Sequence, residues 1–229
     1  MTGADDQAGT RALYPFLYAD AVSDLDAVLA DVRRSTAAKA AEILALRRTV
    51  LADAADRLVA CAAGMAERFV AGGRLYTFGN GGSSTDAAEV ATTFLHPPQG
   101  RALPALSLAA DVAVVTALSN DIGFEVVFAR QLAALGRPVD IALGLSTSGG
   151  STNVIRAFEE AGRRGMLTVG LAGYDGGRMA ELDTLDYLFV IPSPSVHRIQ
   201  EAQTTLYHVL WELTQAALAA AGVPATTVH

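Results

Sequence analysis

A chain of 229 residues, 51% hydrophobic and 18% charged, has the length and composition of one compact α/β domain with a sizeable core. Its formal net charge of −7 and pI near 5.0 argue against a nucleic-acid or membrane-surface partner, because phosphate backbones and anionic lipids demand clustered Lys and Arg; any phosphate it binds is small. The single cysteine, Cys61, excludes an intrachain disulfide and multi-cysteine zinc patterns, and a lone core thiol fits a cytoplasmic protein.

In chain order, residues 1–10 are small and polar and are expected to be disordered. From there to residue 229 the chain reads as a single domain opening with a helical arm. The stretch from Leu25 to about Val70, rich in Ala, Leu and Arg at a spacing near 3.6, predicts helix, with a break into two near Arg34-Ser35. Five short runs apolar on both faces follow: Leu75–Phe78, Ala105–Leu108, Ile141–Leu145, Leu167–Leu171 and Tyr187–Ile191. Buried parallel strands read this way. Helix-compatible segments at Thr85–Leu95, Phe124–Leu135 and Val154–Arg164 separate them, and a last helix runs from about Val196 to Ala220. The alternation predicts a three-layer α/β sandwich around a five-stranded parallel sheet, preceded by an N-terminal helical arm. No signal sequence is evident, and no apolar run reaches the ~18 residues of a membrane span. The N-terminal helices and the last one, with Leu206, Leu210, Trp211 and Leu213, carry more apolar residues than five short strands can cover, which predicts a homo-oligomer.

Two loops at strand ends concentrate glycine and small hydroxyls. Gly79-Asn-Gly-Gly-Ser-Ser84 follows the first strand, and Ser146-Thr-Ser-Gly-Gly-Ser151 follows the third. In open α/β sheets ligands gather beyond the carboxyl ends of the strands, where helix starts present unpaired N–H groups and a positive dipole end. Glycine lets the backbone approach closely, and Ser146, Thr147, Ser148 and Ser151 add hydroxyl donors without charge, as a phosphate monoester requires. Other phosphate motifs fail on inspection: neither loop has the lysine of a Walker sequence, and Ser84 stands where a dinucleotide fingerprint needs glycine.

Five segments, Gly79-Asn-Gly-Gly-Ser83, Ser119-Asn-Asp-Ile-Gly-Phe124, Ser146-Thr-Ser-Gly-Gly-Ser151, Gly173-Tyr-Asp-Gly-Gly177 and Arg198-Ile-Gln-Glu201, together resemble the sugar isomerase (SIS) domain family, and within it the sedoheptulose 7-phosphate (phosphoheptose) isomerases. The resemblance covers residues 40–220. It implies a homotetramer with sites at subunit boundaries and ketose–aldose isomerisation of a sugar phosphate. It also implies substrate contacts from Asn80, Gly81, Gly82, Ser83, Asn120, Asp121, Ser146, Thr147, Ser148, Ser151 and Gln200, with His208 as a second residue of the last helix at the site.

The family places a histidine and, four residues later, a glutamate on the helix after the first loop, where they help bind zinc and the glutamate moves protons. Here those positions hold Glu89 and Thr93. An enediol path needs a base at carbon and an acid at oxygen, and threonine serves as neither near neutral pH. Glu89, one turn earlier on the same helix face, is the replacement base, and His208 its partner. Gln200, Thr204 and His208 share a face at i, i+4 and i+8. As a metal set, Glu89, Gln200 and His208 give one carboxylate, one amide and one imidazole, a poor match to tight zinc sites, so no tightly bound cofactor is expected. A second reading of the same departure is a non-catalytic phosphosugar-binding tetrameric adaptor or sensor. Convergence of Glu89 and His208 discriminates the two.

Overall fold

In a computed structural model, residues 25–222 are described; the expected disorder of residues 1–10 lies outside them. Helix α1 spans Leu25–Val70 as a single 46-residue element, so the break expected near Arg34-Ser35 is not formed. Ser35 and Thr36 cost little helix propensity beside the Ala-, Leu- and Arg-rich run that follows, and no proline interrupts it. Contacts divide the chain into two units, one ending at Leu44 and one starting at Ala45. The first contributes the exposed start of α1, with Val28, Leu29 and Val32 open to solvent.

The second unit holds the sheet. Strands β1 (Leu75–Gly79), β2 (Ala105–Ser107), β3 (Ile141–Ser146), β4 (Leu167–Gly173) and β5 (Tyr187–Ile191) pair in the order β2-β1-β3-β4-β5, all parallel. Helices α2 (Gly82–Leu95), α3 (Val112–Asp121), α4 (Val127–Leu135), α5 (Thr152–Arg163) and α6 (Val196–Ala220) connect or follow them. Side chains alternate across a strand, and β1 shows what each face meets. Phe78 packs on Phe128 of α4 and Phe158 of α5, with ring centroids 5.6 and 5.2 Å apart. Thr77 turns the other way and donates its hydroxyl to the Ala87 carbonyl of α2 at 2.6 Å. Every residue of β1, β3 and β4 is buried, which is why each reads as an unbroken apolar run.

Two further features depart from the sequence expectations. Helix α3 went unpredicted. It starts at Asp111, whose carboxylate accepts from Val114 N at 3.0 Å, and none of its residues is buried, so its apolar residues carry no inward stripe. Of the α6 residues invoked for oligomerisation, Leu206, Leu210 and Trp211 are covered within the chain itself, at most 5% exposed, and Leu213 is half-buried. Exposed apolar residues lie along α1, at Val28, Leu29, Val32, Leu44, Val59 and Val70, and at Leu106, Val112 and Leu135, which border a groove of about 1190 Å³ between β2, α3 and α4.

Because all five strands run the same way, the loops after β1, β3 and β4 emerge on one edge of the sheet. That edge also receives the start of α6, since Gly173, the last residue of β4, lies directly under the Ile199 side chain.

Candidate active site

Strand β3 ends at Ser146, whose Oγ lies 3.0 Å from Ser151 Oγ across the turn. Ser151 thus spends its hydroxyl on Ser146 and makes no side-chain cap to α5. Gly149 turns the loop with φ of 62°, a conformation that favours glycine, and a Cβ there would run into the Gly176 carbonyl. The segment after β4 backs the loop: Gly173 N donates to Thr147 O at 3.0 Å and Met179 N to Gly149 O at 2.9 Å. Ser148 is exposed, and its Oγ accepts from Gly150 N at 3.2 Å. The result is a firmly backed turn carrying hydroxyls and backbone N–H groups at a helix start, suited to a small anion.

The first glycine loop is tied to the second by a reciprocal amide pair. Asn80 and Asn153 each donate to the other at 2.8 Å, and Asn153 is buried at the start of α5. Ser83, also buried, donates its N–H to Asn80 O at 3.0 Å and faces inward. Gly82 lies against the Gln200 amide of α6, and any Cβ at that position would overlap Gln200 Nε2. Gln200 in turn donates to Asp86 Oδ2 at 3.3 Å. Burial pushes the Asp86 carboxyl above its usual range; the Gln200 hydrogen bond draws it back, and the nearby Glu89 charge adds to the rise.

Glu89 and His208 converge, with Oε1 and Nε2 3.8 Å apart and both side chains partly open to solvent. His208 Nδ1 lies 2.8 Å from the Thr204 carbonyl. A carbonyl only accepts, so Nδ1 carries the proton, and Nε2 is the nitrogen that gains or loses one beside Glu89. Tyr207 borders the pair from the protein side, its ring centroid 4.9 Å from that of His208 and its hydroxyl 3.4 Å from Thr204 Oγ1. Burial pushes its phenol well above the usual range. Thr204 opposes this, and the nearby carboxylates of Glu89 and Asp86 add to it.

Two of the expected substrate-binding residues are not drawn into these contacts. Asn120 and Asp121, at the exposed end of α3, bond to each other at 2.8 Å, and no described hydrogen bond links either to a glycine loop. His96 is the exposed C-cap of α2, and His197 is exposed in the first turn of α6. Three side chains at the site had no role assigned from sequence: Asp86, Asn153 and Tyr207. Asp86 stands three residues before Glu89 on one helix face, a spacing that could have marked it; Tyr207 lies in an apolar stripe that reads as core.

The donor set does not fit the zinc that the resemblance implies. Among the described residues no three His, Cys, Asp or Glu side chains gather as a metal group. Gln200 turns its amide nitrogen toward Asp86, and His208 offers only Nε2. One imidazole and one carboxylate fall short of the three or four firm ligands of a tight zinc site.

Comparison with known proteins places this geometry among relatives. The SIS domain family model matches residues 40–173. Phosphoheptose isomerase of Roseiflexus sp. (strain RS-1) is 42% identical over 175 residues, covering 76% of this chain and 88% of that protein. The phosphoheptose isomerase of Aquifex aeolicus (strain VF5) is 41% identical over 163 residues, covering 70% and 84%. Among solved structures, phosphoheptose isomerase GmhA from Neisseria gonorrhoeae superimposes with a TM-score of 0.75 at 35% identity, covering 81% of this chain and 99% of that one.

Proposed function

The chain belongs to the SIS domain family, and from that membership we propose that it is a phosphosugar isomerase that interconverts ketose and aldose forms, with sedoheptulose 7-phosphate or a related sugar phosphate as substrate. The observation that carries the reading is the 3.8 Å approach of Glu89 Oε1 to His208 Nε2 at the edge of the sheet where the glycine loops emerge. In it, Ser146, Thr147, Ser148 and Ser151 hold the phosphate at the start of α5. Asn80, Gly81, Gly82, Ser83, Asn120, Asp121 and Gln200 contact the sugar.

The chemistry needs two groups. Glu89 takes the proton from C1 of the ketose as the C1–H electrons form the enediol double bond, while O2 gains a proton from protonated His208 Nε2. Neutral Nε2 then removes the proton from O1, the C1=O bond forms, and Glu89 returns its proton to C2, giving the aldose. The fixed Nδ1–H keeps the second nitrogen free for both transfers. Half-buried Asp86, accepting from Gln200, links α2 to α6 beside the pair. No step passes through a metal.

The test is isotope exchange. Five- to eight-carbon ketose phosphates are incubated with the full chain in deuterated water, with and without added Zn²⁺. Deuterium at the carbon next to the carbonyl, independent of zinc, is the expected result; no exchange with any of them removes the isomerase reading. Thr93, in place of a carboxylate, favours the second reading, in which the chain binds phosphosugars as a tetrameric adaptor or sensor without turnover.

The same reading takes residues 11–229 as one functional domain and locates the protein in the cytoplasm; no described helix is long and apolar enough to cross a membrane. It also takes the chain as a homo-oligomer, a tetramer by family, supported by exposed Leu106, Val112, Ile122 and Phe124. A monomer mass by light scattering at micromolar concentration would remove that part.

A further inference from the structure

A terminal sugar phosphate carries its phosphate at one end of the carbon chain and its reacting carbons at the other. In the isomerase reading the two ends meet different elements, the phosphate at the turn before α5 and the reacting carbons at Glu89 of α2. Glu89 stands seven residues along α2 from Gly82, roughly 10 Å of helix rise. Whatever sets α2 against α5 therefore decides which ligand length reaches both.

The sheet sets it only in part. Strands β1 and β3 pair as far as Gly79 with Leu145, and the two loops separate after that register. The next residue, Asn80, rejoins them. Its Nδ2 donates to Asn153 Oδ1 and its Oδ1 accepts from Asn153 Nδ2, both at 2.8 Å, so the loop into α2 is bonded to the first turn of α5.

The orientation of both amides follows from the backbone. Val154 N donates to Asn153 Oδ1 at 3.0 Å, and a backbone N–H can only donate, so the oxygen of Asn153 has to lie on that side. Its nitrogen is then the donor left for Asn80, whose oxygen receives it. Flipping the pair would set two donors against each other at Val154. Asn153 is 2% exposed, so water does not relax the arrangement. Asn80 is only half-buried and keeps a second amide hydrogen and a second lone pair, a donor and an acceptor side by side. A sugar hydroxyl can use both.

We propose that Asn153 is a positioning and specificity-determining residue that acts through Asn80: the reciprocal amide pair fixes α2 against α5, and thereby selects the carbon number of the sugar phosphate that seats both its phosphate and its reacting end. The consequence for substrate choice rests on the isomerase reading above; the amide pair does not.

The two layers are measured separately. Urea unfolding of the full chain is followed for wild type, Asn80→Ala, Asn153→Ala and the double variant. A reciprocal pair gives a non-additive cycle, with a coupling of about fivefold in the unfolding equilibrium constant; additive effects overturn the proposal whatever the turnover. Five- to eight-carbon ketose phosphates are then compared by kcat/KM. In Asn153→Ala the preference for the best substrate over its neighbours one carbon shorter or longer narrows about fivefold. Adding Asn80→Ala lowers kcat/KM across the panel and narrows the preference no further. A uniform loss in Asn153→Ala, as a merely structural role would give, overturns the assignment, and so does a further narrowing in the double variant. Asn153→Ser, which retains a small polar side chain, takes the place of Asn153→Ala if that variant does not fold. A wild type that turns over nothing defeats the isomerase reading, and the preference is then read from calorimetric Kd values on the same panel, with the same outcomes deciding. A wild type that shows no length preference, or binds none of the panel, overturns the proposal.

Discussion

Gly82 and Gln200 interlock: the Gln200 amide occupies the space that any side chain at position 82 would need. This close approach joins the first turn of α2 to α6 and delivers Gln200 to Asp86. Gly82→Ala therefore displaces a flexible amide and no backbone. Stability is expected to stay within about 1 kcal/mol, since Ala favours the helix, while kcat/KM for the phosphosugar drops about tenfold as Gln200 leaves its place. Denaturant unfolding beside an isomerase assay checks both, and unaltered kcat/KM would remove Gln200 from the site.

The phosphate turn gives a second expectation. Ser146→Ala with Ser148→Ala deletes two hydroxyls and leaves the Gly149 turn and its backing by Met179 untouched. Phosphosugar binding weakens by on the order of 1–3 kcal/mol, the worth of hydroxyl hydrogen bonds to a charged group. Calorimetric titration with sugar phosphate reads this directly; unchanged affinity places the phosphate elsewhere.

Glu89→Gln keeps the shape and removes the base. Turnover is expected to fall by about 10² or more with phosphosugar affinity within a few fold. Thr93→Glu in the wild-type background returns a carboxylate one turn further along α2. Deuterium exchange by that variant, absent in the wild type, would show that the natural chain binds without catalysing.

Cys61 links the fold to alkaline pH. Burial first, with a smaller contribution from Asp186 and an opposing one from Arg57, pushes its thiol up to about 12 from the ordinary 9.0. Between those values the folded state keeps a proton that the unfolded state gives up, so stability is complete below pH 9 and declines as pH rises toward 12. The thiol accounts for about 2–3 kcal/mol of loss between pH 9 and 11. Cys61→Ala, which lacks this proton, shows a correspondingly shallower decline in urea midpoints over that interval. Parallel curves for the two proteins would contradict the assignment.

The sheet was legible because parallel strands buried on both faces leave unbroken apolar runs such as Ile141–Leu145, and the two glycine loops were legible because their chemistry is local. Helix α3 escaped because Val112–Asp121 buries nothing and so shows no inward stripe. The supposed break at Arg34-Ser35 weighed two weak residues against a long run of good helix formers and misjudged the sum. The contacts of Gln200 with Gly82 and of His208 with Glu89 depend on how α2 and α6 lie together. Separations of more than a hundred residues hide such pairs from any local pattern.

His208 owes its tautomer to the carbonyl of Thr204, four residues earlier on its own helix. Every residue type supplies that carbonyl, so no substitution at position 204 deletes the acceptor while α6 remains helical. Sequence drift can thus erase or relocate the carboxylate on α2 far more easily than it can reset the imidazole. In this chain the boundary between an enzyme and a mere receptor for sugar phosphates runs along a single turn of α2, from Glu89 to Thr93.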